Sequence, residues 1–129
     1  MLERINPEGL RRPPTYTPVV RASGGSTVYI SGQVSVDVDG NIVGAGDLAA
    51  QARQVFANMR AALAAVGADF SHVAKITTYI VGYDASMRET YGAARAEAMG
   101  DALPASTLIG VQALAMPEYL IEVEAIAVV

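Results

Sequence analysis

The sequence predicts a single α+β domain in which two amphipathic helices pack on one face of a mixed β-sheet. Three observations support this fold class. The chain has 129 residues, the usual size of one domain. Hydrophobic residues make up 52% and charged residues 17%, so the chain can bury a core and is not disordered throughout. Apolar patterns typical of strands precede, separate and follow two segments with helical spacing, which gives the order strands, helix, strand, helix, strands.

The N-terminal part is predicted to be extended and then to form a hairpin. Residues 1–15 are rich in proline and polar side chains. The β-prone runs Thr17–Ala22 and Thr27–Ser31 flank Ser23–Ser26, whose centre is Gly-Gly, and this pattern predicts a hairpin between the two runs. Further on, Asp37–Asn41 has Asp-Gly at its middle, which predicts a turn within a second small hairpin or bulge.

Two helices are predicted from apolar residues that recur every three or four positions. Asp47 is suited to cap the start of the first helix, and Gly67 is suited to end it because glycine readily adopts positive φ. The second helix is predicted from Asp84 to Met99, with a capping box formed by Ser86 and Glu89. The buried stripes are expected to consist of Leu48, Ala52, Val55, Phe56, Met59, Leu63 and Val66 in the first helix, and of Met87, Tyr91, Ala94 and Ala98 in the second.

Three further strands complete the predicted sheet. Ala74–Val81 is β-branched and aromatic with apolar residues on both faces, which indicates a strand in the middle of the sheet. Thr107–Leu114 and Tyr119–Val129 are predicted to be the remaining strands. Two helices on one face leave the other face uncovered. Because an open apolar face of this size is normally covered, we expect a homo-oligomer.

Composition argues against several classes of function. The chain has no cysteine, which removes disulfides, thiol nucleophiles and cysteine-ligated metal sites. Its one histidine, His72, does not support a multi-histidine metal site within one chain. The formal charge is −4 and no basic cluster exceeds Arg11-Arg12, which argues against nucleic-acid binding. Neither a membrane-spanning run nor a signal peptide is expected, and a cytoplasmic location follows as the default.

Local patterns single out candidate functional residues, each with a structural alternative. Glu122 and Glu124 point the same way from a strand otherwise made of Leu, Ile, Val and Ala. They either carry a proton in a reaction, or rim a solvated edge and pair with arginines at an interface. Ser31 and Gly32 end a strand, where glycine permits either close approach of a ligand or a β-bulge. Tyr16, close to several prolines, is either a lid over a pocket or a packing residue.

Over nearly its whole length, the chain resembles the RidA/YjgF family, also described as reactive-intermediate deaminases or as endoribonuclease L-PSP. The resemblance is carried by Val28–Gln33, by Asn58 and Gly67, by Val73–Thr77 and by the C-terminal Ile121–Ala127. It implies a chorismate-mutase-like subunit that assembles as a homotrimer with clefts between subunits. It also implies hydrolysis of 2-aminoacrylate and related imines to keto acids and ammonia, without metal or cofactor.

The resemblance further implies which residues form the site. The family's glutamate in the last strand, which activates the attacking water, matches Glu122, the expected catalytic residue. The second-helix position, usually asparagine in the deaminases, is Arg88 here. The implied substrate-binding residues are Tyr16, Ser31, Gly32, Arg88, Ser106 and Leu108.

The sequence departs from the family at the residue that holds the substrate carboxylate. The family motif Pro-Ala-Arg-Ser reads Pro104-Ala105-Ser106-Thr107, so serine stands where arginine belongs. A two-pronged guanidinium–carboxylate contact in a partly dry cleft stabilises a complex by about 2–4 kcal/mol. Two interpretations of Arg88 remain open: it supplies the missing charge from the other wall, or it faces solvent and pairs with Glu89 or Asp84.

Three functions are compatible with these residues. The first is a divergent deaminase-type hydrolase with an altered substrate, in which Glu122 handles water. The second is a trimer that binds a small metabolite or a partner protein without chemistry. The third is an endoribonuclease, which the acidic charge and the lack of histidine chemistry disfavour.

Overall fold

Two helices cover one face of a four-stranded mixed sheet in the computed structural model, which describes residues 1–129 and confirms the α+β fold. A separate two-stranded ribbon lies at the N-terminus. In chain order the elements are β1 (Leu2–Ile5), β2 (Val19–Ala22), β3 (Thr27–Gln33), α1 (Leu48–Ala64), a 3₁₀ turn (Phe70–His72), β4 (Val73–Val81), α2 (Met87–Met99), β5 (Ala105–Val111) and β6 (Ile121–Val128).

The main sheet has the strand order β3-β6-β4-β5. β4 and β5 are parallel and are joined by α2, whereas β6 is antiparallel to both β3 and β4. The interior position predicted for β4 is confirmed. Parallel neighbours need a crossover connection, and α2 provides it between β4 and β5. The candidate site lies beside this helix.

The two faces of the sheet differ in burial, as the alternation in β6 predicts. Ile121 and Val123 are fully buried under the helices. Glu124 and Ile126 point to the other face and are exposed. Tyr29 of β3, paired with Ile126, is 79% exposed. The face away from the helices, which we call the open face, therefore combines apolar side chains with two carboxylates.

Helix α1 begins as predicted and ends slightly earlier. The Asp47 carboxylate accepts a hydrogen bond from the amide of Ala50 at 3.0 Å, which caps the first turn. Gly67 follows the helix at a φ of 69°. Val66 was expected on the buried stripe, but it lies beyond the last helical turn and is 43% exposed.

Helix α2 begins at Met87, and the capping box predicted for Ser86 and Glu89 is wrong. The Ser86 side chain makes no capping bond. Instead the Asp84 carboxylate accepts a hydrogen bond from the amide of Ser86 at 2.8 Å and one from its hydroxyl. Since a carboxylate accepts more strongly than a hydroxyl, Asp84 organises the turn before the helix.

The hairpin predicted between the runs flanking Ser23–Ser26 does not form. β2 pairs with β1, and β3 pairs with β6. Gly24 and Gly25 do adopt positive φ, so the chain turns there, but the turn passes from one sheet to another. Leu2–Ile5, within the segment predicted to be extended, is a strand and supplies the partner of β2. The turn at Asp37–Asn41 is confirmed by two backbone amides that donate to Asp37.

The core lies between the helices and the sheet. Phe56 of α1 is at its centre, with ring centroids 6.2 Å from both Phe70 and Tyr91. These contacts fix α1 against the turn before β4 and against α2. Neither helix combines the length and apolarity that a membrane span requires.

Candidate active site

A cavity of about 480 Å³ lies between α2, β5 and the N-terminal segment that precedes β2. The segment is fixed by Thr17, which is buried. The Thr17 amide donates to the carbonyl of Pro104 at 3.1 Å, and its hydroxyl donates to the carbonyl of Leu103. The cavity is lined by Arg11, Pro13, Pro14, Thr15, Tyr16, Tyr83, Arg88, Tyr91, Gly92, Arg95, Ala96, Met99, Gly100, Ala102, Leu103, Ser106 and Leu108.

Arg95 is the charged group set deepest in this cavity, with 8% of its surface exposed. Its Nη1 donates to the hydroxyl of Ser106 at 3.2 Å, and its Nη2 donates to the carbonyl of Thr15 at 2.6 Å. No carboxylate lies within ion-pair distance of it. Burial lowers the pKa of Arg95, while the neighbouring Tyr91 acts in the opposite direction. Since a guanidinium remains protonated in proteins, the cavity holds a buried positive charge.

Tyr91 joins α2 to the sheet beside this charge. Its hydroxyl and that of Thr78 are 2.7 Å apart and both are buried. Desolvation raises the pKa of Tyr91, an effect that the hydrogen bond with Thr78 and the nearby Arg95 partly offset. Tyr91 is therefore a neutral, fixed part of the wall at neutral pH.

Arg88 lies about two helical turns before Arg95 on the same side of α2, since seven residues make about two turns. It lines the cavity while remaining exposed. The alternative that Arg88 pairs with Glu89 or Asp84 is wrong, because no carboxylate lies within ion-pair distance of it. The Asp84 carboxylate is instead engaged by Ser86.

Glu122 lies on the open face, next to the bulge in β3. The strand register shifts between Ile30 and Gln33, so the alternative of a β-bulge is confirmed. A Cβ placed on Gly32 would lie 2.1 Å from Oε1 of Glu122, so only glycine leaves room for this carboxylate. Glu124, two residues on, accepts a hydrogen bond from the Tyr79 hydroxyl at 2.9 Å. The two glutamates share a face, as their spacing predicts, but that face is exposed rather than dry.

The structure divides the predicted site residues between the two faces of the sheet. Tyr16, Arg88, Ser106 and Leu108 line the cavity on the helix side. Ser31, Gly32 and Glu122 belong to the open face. The strand register shows this division. Ser106 is paired with Ile76 of β4 and Glu122 with Tyr79, and paired residues point to the same face. Since side chains alternate along a strand, Ile76 and Tyr79, three positions apart, point to opposite faces. One chain therefore does not bring Glu122 to the cavity.

Sequence reasoning missed Arg95. Its spacing from Tyr91 is four residues and from Arg88 seven, which places all three on one side of a helix. This spacing could have indicated that Arg95 faces the same cavity as Arg88. An arginine near the end of an amphipathic helix is, however, normally exposed to solvent. No group of three or more His, Asp or Glu side chains is arranged to hold a metal ion.

Chemically, the cavity can bind an anion. It has three arginines, tyrosine hydroxyls and no acidic residue in its wall. A carboxylate that enters it meets unpaired guanidinium groups in a partly dry setting, where charge-assisted hydrogen bonds are strong. The carboxylate of Glu122 can accept a proton from water, but only at a cavity that another chain presents to it.

Comparison with known proteins gives consistent matches. The chain matches the model of the family described as Endoribonuclease L-PSP over residues 10–129. It is similar to the structure of YyfB, a protein of unknown function of the conserved Rid family from Yersinia pestis, with a TM-score of 0.93 and 37% identity over 99% of this chain and 98% of that one. It is 35% identical to a RutC family protein from Pyrococcus horikoshii over 87% of this chain and 85% of that protein. It is 32% identical to 2-iminobutanoate/2-iminopropanoate deaminase from Homo sapiens over 70% and 72% of the two chains.

Proposed function

The chain belongs to the RidA/YjgF family, and from this premise we propose that it hydrolyses an enamine or imine to a carbonyl compound and ammonia. The deaminase named among its relatives supports this reaction type. The substrate is expected to differ from that of the relatives, because Ser106 replaces the arginine that the family resemblance implies at this position.

The observation that carries the proposal is the guanidinium of Arg95 at Ser106. In this proposal Arg95 of α2 takes the role of the arginine that the resemblance implies in β5, and its Nη1 donates to the Ser106 hydroxyl at 3.2 Å. Two of its five N–H donors are used by Ser106 and Thr15, so three remain for a ligand. We therefore assign to Arg95 the binding of the substrate carboxylate, with Tyr16 and Leu108 as walls.

Hydrolysis then needs a group that handles water, and we assign this role to Glu122. Water adds to the imine carbon, so a C–O bond forms, and the proton that the water loses passes through the Glu122 carboxylate to the nitrogen. The new hydroxyl group then gives its proton to the nitrogen through the same carboxylate, the C–N bond breaks as the C=O bond forms, and ammonia leaves the carbonyl compound. No redox step is involved.

Because Glu122 and the cavity lie on opposite faces of the sheet, the proposal includes a homotrimer. The open face, with the exposed Tyr29 and Ile126, would be covered by neighbouring copies. Glu122 of one copy would then face the cavity of the next, and Ser31 and Gly32 would border the same cleft.

The separation of Glu122 from the cavity also favours a second candidate function, binding of a small anionic metabolite without chemistry. In this case the buried Arg95 anchors the ligand, and Glu122 has no partner in the cleft. Turnover distinguishes the two candidates, since both predict binding.

The direct test is release of ammonia and a carbonyl compound from a panel of freshly generated imines and enamines, from 2-aminoacrylate and 2-iminobutanoate to larger and uncharged ones. We expect turnover by the wild type and a loss of about 100-fold or more in kcat for Glu122→Gln. The matched control is Glu124→Gln, a change on the same face of the same strand, which should leave turnover close to wild type. Turnover that survives Glu122→Gln would contradict the mechanism. Binding without any turnover would establish the second candidate.

A second variant tests the anchor. Arg95→Lys keeps the charge but loses the two-pronged geometry, so kcat/KM should fall about 30-fold, the equivalent of about 2 kcal/mol. Unchanged kcat/KM in a folded Arg95→Lys protein would exclude Arg95 as the carboxylate anchor.

A further inference from the structure

The cavity carries more positive charge than one substrate carboxylate needs. Arg11, Arg88 and Arg95 all line it, and no aspartate or glutamate does. We infer that the substrate has a second anionic group besides the carboxylate next to the imine. This inference rests on the proposed function, because it names the substrate class of the same site.

The three arginines have different roles because they lie at different depths. Arg95 is held inside by Thr15 and Ser106 and binds the first carboxylate. Arg88 and Arg11 are exposed side chains at the cavity wall, one from α2 and one from the N-terminal segment. A single carboxylate bound to Arg95 leaves both of them without a partner.

Nothing within one chain neutralises these outer arginines, and the Glu122 that the proposed trimer brings from a neighbouring copy balances only one of the three positive charges. The only arginine in an ion pair is Arg21, bound to Glu3 in the β1–β2 ribbon. Like charges that share one cavity repel each other, and the potential they produce attracts anions. A ligand with a second anionic group at the outer end relieves this repulsion, whereas a ligand with an apolar end does not.

The size and lining of the cavity fit a short dianion. A cavity of about 480 Å³ is within the usual range for small-molecule sites and has room for more than a three-carbon imino acid. Tyr83, Tyr91 and Leu108 supply a wall for the carbon chain between the two charges. The substrate class is therefore the imine or enamine of an acidic amino acid, or of one that carries a phosphate or phosphonate group.

The test measures binding of stable 2-oxo acids, the products of the proposed hydrolysis, by calorimetry at constant ionic strength. The probes are 2-oxobutanoate with one anionic group, 2-oxoglutarate with two carboxylates, and phosphonopyruvate with a carboxylate and a phosphonate. We expect at least one of the two latter probes to bind about tenfold more tightly than 2-oxobutanoate or better. Their ranking identifies the second group as carboxylate or phosphate-like.

Variants of the outer arginines test whether these residues bind the second anionic group. Arg88→Gln, alone or with Arg11→Gln, should weaken binding of the favoured probe more than binding of 2-oxobutanoate, so that the two affinities come to within about threefold of each other. Arg53→Gln is the matched control, an exposed arginine of α1 outside the cavity, and should leave all three affinities unchanged. Equal affinity of the wild type for all probes, no binding of any, or a preference that survives both substitutions would overturn the inference.

Different results would contradict the proposed hydrolysis and the inference of a second anionic group. If the protein prefers the doubly charged probes but turns over no imine, the proposed hydrolysis is wrong, and the second anionic group is a property of a ligand rather than of a substrate. Turnover of imines with no such preference would remove only the inference.

Discussion

Arg95 is the residue that we propose supplies the guanidinium group of this site, because its Nη1 lies 3.2 Å from the Ser106 hydroxyl. The hydroxyl of Ser106 accepts this hydrogen bond from the guanidinium of α2. The departure at position 106 from the motif that the resemblance implies is visible in the sequence, because a motif is local. The contact between Arg95 and Ser106 is not visible in the sequence, because it depends on how α2 packs against β5.

Gly32 provides a test of the position of Glu122. A Cβ at residue 32 would lie 2.1 Å from Oε1, 2.7 Å from Cδ and 2.9 Å from Cγ of Glu122, so Gly32→Ala forces the whole side chain to move. We predict that kcat falls about tenfold or more, since displacement of a catalytic group by about 1 Å has effects of this size. The measurement is imine turnover by the substituted protein.

Stability serves as the control for this substitution. Gly32 does not have a positive φ, and the displaced carboxylate is flexible, so the free energy of unfolding should change by less than about 1 kcal/mol. Full turnover in a folded Gly32→Ala protein would show that the observed position of Glu122 is irrelevant to the reaction.

The attachment of α2 to the sheet positions both Arg88 and Arg95. The buried pair of hydroxyls in Tyr91 and Thr78 is the polar part of this attachment. Tyr91→Phe leaves the Thr78 hydroxyl buried without a partner, and we predict a loss of about 1–3 kcal/mol in the free energy of unfolding by urea. The double variant with Thr78→Val should lose less than the sum of the two single variants, because removing both partners leaves neither unpaired. Additive losses would show that the pair does not interact.

The raised pKa of Tyr91 predicts that the free energy of unfolding falls at alkaline pH. Burial raises the pKa of Tyr91 above its ordinary value of 10.0, so the folded chain holds a proton that the unfolded chain loses. Its contribution is fully present below about pH 10 and is lost as the pH rises through the folded-state pKa. The stability difference between the wild type and Tyr91→Phe should therefore narrow from about pH 9 to about pH 11 in urea unfolding experiments. A constant difference over this range would contradict the assignment.

Elements with strong periodicity were predictable, and their partners were less so. Both helices, the interior strand β4 and the alternation in β6 follow from apolar spacing that a single segment contains. The Gly24-Gly25 turn was also correct as a change of direction. The predicted pairing of β2 with β3 was wrong, because the partner of a strand depends on which other strand is free to bind its edge. Here Leu2–Ile5 binds the edge of β2.

The whole molecule raises the question of how two halves of a site on opposite faces of a sheet act together. The predicted residues were individually reasonable, but the sequence gives no direct sign that Ser106 and Glu122 face opposite ways. That division follows from the register of β4 with β5 and β6. Both halves take part in one reaction only if copies of the chain associate.

Association is predicted to use the open face. The wild type should sediment at about three times the 13.4 kDa mass of the chain. Ile126→Glu places a charge among exposed apolar side chains of this face and beside Glu124, so it should shift the protein toward the monomer. Sedimentation equilibrium gives both masses. A monomeric wild type, or a trimer unaffected by Ile126→Glu, would contradict an interface on this face.

Complementation between two inactive variants tests most directly whether each site is shared between two chains. Arg95→Gln and Glu122→Gln are unfolded together in equal amounts, refolded to form mixed oligomers and assayed for imine hydrolysis. If each site takes Arg95 from one chain and Glu122 from another, about one quarter of the sites in a random mixture have both native residues, and about one quarter of the wild-type activity should return. A mixture as inactive as its two parents would contradict a site shared between chains.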